Sequence, residues 1–274
     1  MSEPICSELF VTANTHYGQK GQNVFFRLTL ERPAWAAWRP GQFVMLRAQS
    51  WGNDMIWARP VSISRLTSHN LELFIQSAGR GTRLMAAFMP GEKVTIWGPL
   101  GTGFAQTVGS STLLLAGGMG LAPFLGYAET HPEPFNLSML FGHRLSLDNY
   151  PVDDLEISFT AWQEQSEQEL LAFQAEICRA LDLSKKQNGL VLACGPFPFL
   201  HYIWQQVLRR GIRAQLSLEQ KMACGIGACL GCVTVSSKNW PNKKTAGLPV
   251  QTCTKGPVFW ADEIDLDARP DPGV

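Results

Sequence analysis

The chain has 274 residues, room for two ordinary domains and a small third, and 45% of them are hydrophobic. Lys+Arg and Asp+Glu both number 23, so the zero formal charge speaks against a binder of nucleic acid or of anionic membranes. No stretch approaches the roughly eighteen consecutive apolar residues of a membrane span, and the Met1–Ile5 start has no basic n-region, so no membrane insertion is expected and the protein reads as cytoplasmic.

The first hundred residues are rich in strand signals. Asn23–Leu30 alternates, with Val24, Phe26, Leu28 and Leu30 on one face of a half-buried strand. Gln42–Arg47, Leu71–Gln76 and Lys93–Trp97 follow as further short strands, separated by Gly and Pro turns. This pattern predicts an antiparallel barrel or sandwich with one short helix at Thr82–Phe88, stopped by Pro90-Gly91. Arg59-Pro-Val-Ser62 and Gly79-Arg-Gly-Thr82 are small motifs on that frame. An arginine, a hydroxyl and the start of a helix suit a phosphate. Each motif alone is equally an ordinary turn or helix cap. Trp51–Trp57 is a loop dense in aromatics, read as core packing with a partner-docking patch as the alternative.

From about residue 111 strands alternate with helices. Thr112–Ala116 is a continuous apolar run, as a doubly buried parallel strand should be. Leu137–Phe141, Leu155–Phe159, Leu190–Cys194 and Ala214–Leu218 are the later strands. Ser166-Glu-Gln-Glu169 has capping-box form and opens a helix with Leu170, Phe173, Ile177 and Leu181 inward. A second helix follows Gly195-Pro-Phe-Pro198, with Phe199, Ile203, Trp204, Val207 and Leu208 apolar, and ends at Gly211. Such alternation predicts an open parallel sheet that binds ligands at the carboxyl ends of its strands. Gly117, Gly118 and Gly120 end the first strand and Cys194-Gly195-Pro196 the fourth. The glycines fall short of a full G-x-G-x-x-G, and Phe141-Gly-His-Arg144 offers no acidic residue for a ribose. Cys194 is either a small core residue or a thiol beneath a bound nicotinamide. No histidine shows ligand spacing.

Seven cysteines is an odd number, which speaks against a disulfide framework. Cys224, Cys229 and Cys232 are spaced C-x4-C-x2-C, and Cys253 follows after twenty intervening residues. That is the plant-type spacing for a [2Fe–2S] cluster. Gly225, Gly227 and Gly231 let the loop turn so that its amides face sulfur. Zinc is the alternative, but only Cys229 and Cys232 form the knuckle spacing zinc uses.

The order of these motifs, with Gly98-Pro-Leu-Gly-Thr-Gly-Phe104 and the closing Cys253-Thr-Lys-Gly-Pro-Val-Phe259, resembles the ferredoxin–NADP(+) reductase superfamily over residues 5 to 265. More narrowly it resembles the electron-transfer subunits of type B dihydroorotate dehydrogenase. The resemblance implies an α+β multidomain fold: an antiparallel flavin-binding β-barrel at 1–106, an α/β parallel-sheet nucleotide-binding domain at 107–213 and a small C-terminal [2Fe-2S] domain at 214–274. It implies FAD held by Arg59, Pro60, Val61 and Ser62, by Phe74, Ile75 and Gln76, and by Gly81 and Thr82. It implies NAD(H) at Gly117, Gly118, Gly120, Cys194, Gly195 and Pro196, and the cluster on Cys224, Cys229, Cys232 and Cys253. Wider relatives carry an aromatic where Val61 stands, so flavin stacking must come from elsewhere. Arg144 is the only cation placed for a 2′-phosphate, which favours NADH over NADPH.

The implied activity is electron transfer, with no catalytic acid or base. Hydride brings two electrons, the cluster takes one, and flavin handles both. The implied partner is the catalytic dihydroorotate dehydrogenase subunit, in a heterotetramer of two of each, within pyrimidine biosynthesis. A reductase for an oxygenase, a hydrogenase-like complex or a ferredoxin is the second reading, and a non-catalytic redox sensor the third.

Overall fold

The computed structural model describes residues 4–19 and 25–268. Asn23 and Val24, assigned above to a strand, lie outside them, as do Met1–Glu3 of the N-terminal reading.

The N-terminal part is one antiparallel sheet of seven strands: β1 (Ile5–His16), β2 (Phe25–Glu31), β3 (Phe43–Ala48), β4 (Arg59–Ser62), β5 (Arg65–Leu66), β6 (Asn70–Gln76) and β7 (Lys93–Leu100). Their order is β4-β3-β7-β1-β2-β6-β5. The two edge strands are consecutive in the chain. Ile63 and Ser64 join them, and their amides bond to the carbonyls of Gln42 and Glu72, each at 3.0 Å. The sheet therefore curls toward a barrel, as the turn-punctuated strands predict. Phe26, Leu28 and Leu30 point into its core together with Val44, Leu46 and Ile96, all fully buried. One short helix, α1 (Arg80–Ala86), lies where a helix is expected, two residues earlier.

The second sheet holds β8 (Thr112–Gly117), β9 (Leu137–His143), β10 (Ser158–Gln163), β11 (Leu190–Cys194) and β12 (Ala214–Ser217), all parallel, in the order β10-β9-β8-β11-β12. Every residue of β8 is buried, as its unbroken apolar run requires. Helices α2 (Ala122–Thr130), α3 (Glu167–Lys186) and α4 (Phe197–Arg210) cover it. The Ser166 side chain accepts the Glu169 amide at 3.2 Å and caps α3. Gly211, at φ +62, ends α4 in the left-handed region. Phe173, Ile177 and Leu181 are buried as expected, whereas Leu170 and Leu208 lie on the outside of their helices. The third strand also departs from expectation. Leu155 sits after the 3-10 turn Val152–Asp154, and the pairing begins only at Ser158.

The C-terminal part contributes β13 (Val233–Ser236), β14 (Pro249–Gln251), the one-turn α5 (Thr252–Lys255), β15 (Val258–Trp260) and β16 (Ile264–Asp265). Strands β14-β13-β16 form a small sheet, but β15 leaves it and pairs antiparallel with β12. The expected division at residues 213 and 214 therefore falls within the central sheet, which holds β12 and takes β15 from beyond the cluster loop. The barrel is fastened to the central unit by Arg65 Nε to Glu129 Oε2 at 2.7 Å and by the Arg27–Asp154 ion pair.

Candidate functional site

Three groups of residues make up the site, and two of them meet at strand β4. The first is the anion-binding pair proposed from the sequence. A Cβ added to Gly81 would lie 2.7 Å from Arg59 Nε, so the guanidinium packs on the bare backbone that opens α1. Arg59 also donates to the Trp57 carbonyl at 2.8 Å and lies over the Trp51 ring. The Thr82 hydroxyl oxygen accepts the amides of Ala78 and Gly79, both at 3.0 Å, which fixes the turn Gly79-Arg80-Gly81. Pro60 and Ser62 are half-buried on the edge strand, and Gln76 is exposed at the end of β6. Val61 and Ile75 face the barrel core. Phe74 is enclosed with Phe25, Tyr17 and Tyr150 between the two units. At these last three positions the side chains are buried in protein.

The second group is the glycine cluster at the carboxyl ends of β8 and β11. A Cβ on Gly120 would fall 1.8 Å from the Cys194 carbonyl oxygen. One on Gly195 would meet Phe199 at 2.7 Å and Gly117 at 3.2 Å, and one on Gly117 would meet Pro196 at 3.1 Å. The two motifs are thus interlocked, and only glycine allows the approach. Gly118, at φ +51, has open space above it. Cys194 is half-buried, and burial pushes its thiol up to about 12 against the opposing Ser217 contact, which keeps it protonated.

Glu164 was missed in the sequence. Gly117 pairs with Gly142 on β9, and a Cβ on Gly142 would lie 2.4 Å from Glu164 Oε1. The carboxylate absent from the end of β9 is therefore supplied from the end of β10. Burial raises the Glu164 pKa, and the neighbouring Arg144 cation opposes the rise. The signal was there in principle, since Gly142 leaves a gap that a neighbouring strand must fill.

The third group is the cysteine set. Cys232 and Cys253 are buried, Cys224 is half-buried and Cys229 exposed. Cys224 Sγ accepts the amides of Ile226 at 3.5 Å and Cys229 at 3.4 Å. Cys232 Sγ accepts the Cys253 amide at 3.4 Å. Burial and the Cys232 thiol push the Cys253 thiol up to about 12. Burial also acts against Cys224, but amides from Ile226, Cys229 and Ala228 bring it down to about 7. Among the described residues no three His, Cys, Asp or Glu side chains form a closed metal cage. Even so, the donor chemistry fits an iron–sulfur cluster: four thiols, amides directed at sulfur, and an apolar wall. That wall is Phe43, Met45, Ala58 and Leu100 from the barrel. Ala58 immediately precedes Arg59. Trp51 is buried in the barrel core, whereas Trp57 is 53% exposed, so the aromatic loop divides between packing and surface.

Residues 219–265 match the iron–sulfur cluster binding domain of dihydroorotate dehydrogenase B. The electron transfer subunit of dihydroorotate dehydrogenase B from Geobacillus thermodenitrificans is 31% identical, over 83% of this chain and 87% of its own. Its counterpart from Caldanaerobacter subterraneus is 30% identical, over 82% and 86%. Among solved structures, the NADH-dependent reduced ferredoxin-NADP oxidoreductase superposes with a TM-score of 0.76 at 20% identity, covering 94% of this chain and 90% of that one. A ferredoxin NADP+ reductase from Neisseria gonorrhoeae, with bound FAD and NADP, gives 0.59 at 20% identity, over 75% and 92%. The fold is thus that of the ferredoxin–NADP(+) reductases, extended by an iron–sulfur binding domain. Within that class the chain belongs to the family of dihydroorotate dehydrogenase B electron transfer subunits.

Proposed function

We propose that this chain carries electrons between NAD(H), FAD and a [2Fe-2S] cluster, to or from a catalytic dihydroorotate dehydrogenase subunit of pyrimidine biosynthesis. It acts in the cytoplasm, in an assembly of two of each chain. The carrying observation is the placement of Ala58 and Arg59. One of two consecutive residues lines the wall behind Cys232 and Cys253, and the next packs on Gly81. The residue read as a phosphate partner thus adjoins the wall of the cysteine set in the chain.

Arg59, Pro60, Val61, Ser62, Gly81 and Thr82 hold the flavin and its phosphates, with Phe74, Ile75 and Gln76 beside them. Gly117, Gly118, Gly120, Cys194, Gly195 and Pro196 seat the nicotinamide nucleotide, and the four cysteines ligate the cluster. When bound, these groups supply hydride transfer, one-electron exchange and the conversion between them. The chain's own work is positional. The Arg59 guanidinium balances phosphate charge. The interlocked glycines bring backbone amides close to a nucleotide. The Glu164 carboxylate accepts ribose hydroxyls and repels a 2′-phosphate, which favours NADH. Burial of Cys232 and Cys253 keeps water from one side of the cluster, and exposed Cys229 leaves the other side open. Exposed Ile56 and Trp57 precede Ala58, exposed Ile226 and Leu230 lie on the cysteine loop, and all four suit contact with a partner.

The functional division follows the same order, with flavin at 1–106, nucleotide at 107–213 and cluster at 214–274, the central sheet borrowing strands from the last. The test is anaerobic purification from the native cell followed by a visible spectrum. Flavin and cluster bands that bleach with NADH, and a catalytic dihydroorotate dehydrogenase chain in the same fraction, are expected. A colourless protein, or one that NADH leaves unbleached, would end the redox reading. A reducible protein that never yields dihydroorotate-dependent NAD+ reduction with the catalytic chain would favour another acceptor.

A further inference from the structure

We propose that Trp97 is a positioning residue that fixes the Cys224–Cys229 side of the cluster loop to the barrel, and so tunes the cluster and its electron exchange with the flavin. This rests on the cofactor reading above.

The four cysteines are held from two directions. Cys232 and Cys253 pack side by side on the barrel wall and are tied to each other: Thr252 donates its amide to the Cys232 carbonyl at 2.6 Å, and Cys253 donates to Cys232 Sγ. Cys224 and Cys229 lie on the open side, where Cys229 donates its amide to Cys224 Sγ and the barrel holds the backbone at Cys224 and Gly225. The indole Nε1 of Trp97 donates to the Cys224 carbonyl at 3.4 Å, the long end of hydrogen-bond range. The next residue, Gly225, has φ +73, and a Cβ there would fall 2.5 Å from Met45 Cγ and 3.3 Å from Leu100 Cδ1. Met45 and Trp97 face each other across β3 and β7. Indole, thioether and Leu100 therefore form one wall, and the loop presses on it at two successive residues.

The consequence runs through the backbone. The Cys224 carbonyl is the point where the barrel grips the loop, and the amides of Ile226 and Cys229 that face Cys224 Sγ lie just beyond it. Rotating the Cys224–Gly225 peptide would turn those donors relative to the sulfur. Amide donors at sulfur and access of solvent are the levers that set the potential of a thiolate-bound cluster. Met45 also pairs with Pro60 of β4, so the same wall continues into the strand that carries Arg59.

The test is Trp97→Phe in the full chain with both cofactors, which keeps most of the ring and removes the N–H. FAD and iron content should match wild type, and the NADH-dependent flavin bleaching phase in stopped flow should be unchanged. The low-temperature EPR spectrum of the reduced cluster should shift in g-values, its midpoint should move in a redox titration, and the cluster reduction phase should slow severalfold. If g-values, midpoint and second phase all match wild type, the proposal is wrong. Gly225→Ala is the second probe. Loss or alteration of the cluster signal with FAD retained supports the seat, and an unaltered signal overturns it. Wild type with no [2Fe-2S] signal at all would instead overturn the cofactor reading, and this inference with it.

Discussion

The Thr102 hydroxyl donates to the Val258 carbonyl at 2.9 Å, while the Thr102 amide bonds to the Gly256 carbonyl at 2.6 Å. Through these two bonds the end of the barrel grips the Gly256-Pro257-Val258 segment. The same segment accepts the Leu218 amide at Pro257 O, at 2.8 Å, and then continues as β15 along β12. It follows directly on α5, which carries Cys253. One short stretch therefore ties Cys253, the barrel and the central sheet together. Thr102→Val keeps the shape and leaves the buried Val258 carbonyl without that donor. A loss of about 1–2 kcal/mol in urea unfolding is expected, with cluster absorbance retained.

Glu164 gives a pH-dependent expectation. Its carboxyl is raised by burial, so the native state holds its proton to higher pH than the unfolded chain does. Stability from this group is present below its ordinary range and is lost as pH rises through the raised value. Glu164→Gln should therefore unfold at higher urea than wild type at about pH 7, and the difference should shrink toward about pH 4. The same substitution should raise kcat/KM for NADPH relative to NADH, because the repelling charge is gone. Steady-state rates with both nucleotides and an artificial acceptor check this.

The two kinds of cysteine separate cluster loss from fold damage. Cys229→Ser and Cys253→Ser should both lose the wild-type cluster spectrum. Cys229 is exposed, so its serine costs the cluster-free protein little. Cys253 is buried, and a hydroxyl placed there should cost about 1–3 kcal/mol in urea unfolding of the cluster-free chain.

Trp51 and Trp57 should respond in opposite ways. Trp51 packs beside Phe88 in the barrel core, and Trp51→Ala should cost about 3–5 kcal/mol in chemical denaturation. Trp57→Ala should leave stability within about 0.5 kcal/mol and weaken binding to the catalytic chain, measured by calorimetry.

The long elements were legible in the sequence because their periodicity reflects burial directly. The β8 run, the α3 cap at Ser166 and the Gly211 stop all lie where the residues place them. Features that depend on distant partners were hidden. β15 is three residues long and takes its place only because β12 offers a free edge. β1 carries two buried hydrophobics, Leu9 and Val11, over twelve residues, so it has almost no pattern to read. Leu155–Phe159 had strand composition, but the turn at Val152–Asp154 delays pairing. At the sites, cysteine spacing announced its chemistry. The contacts between Gly81 and Arg59, Gly120 and Cys194, and Gly142 and Glu164 required the fold.

The β12–β15 pairing also bears on how the molecule is made. When Ser217 leaves the ribosome its strand has an open edge, and Val258, its partner, is still to be synthesised. A chain released early would carry an unpaired strand, the kind of edge that recruits other chains, and would also lack Cys253. Closing that edge and adding Cys253 are thus one late event in synthesis.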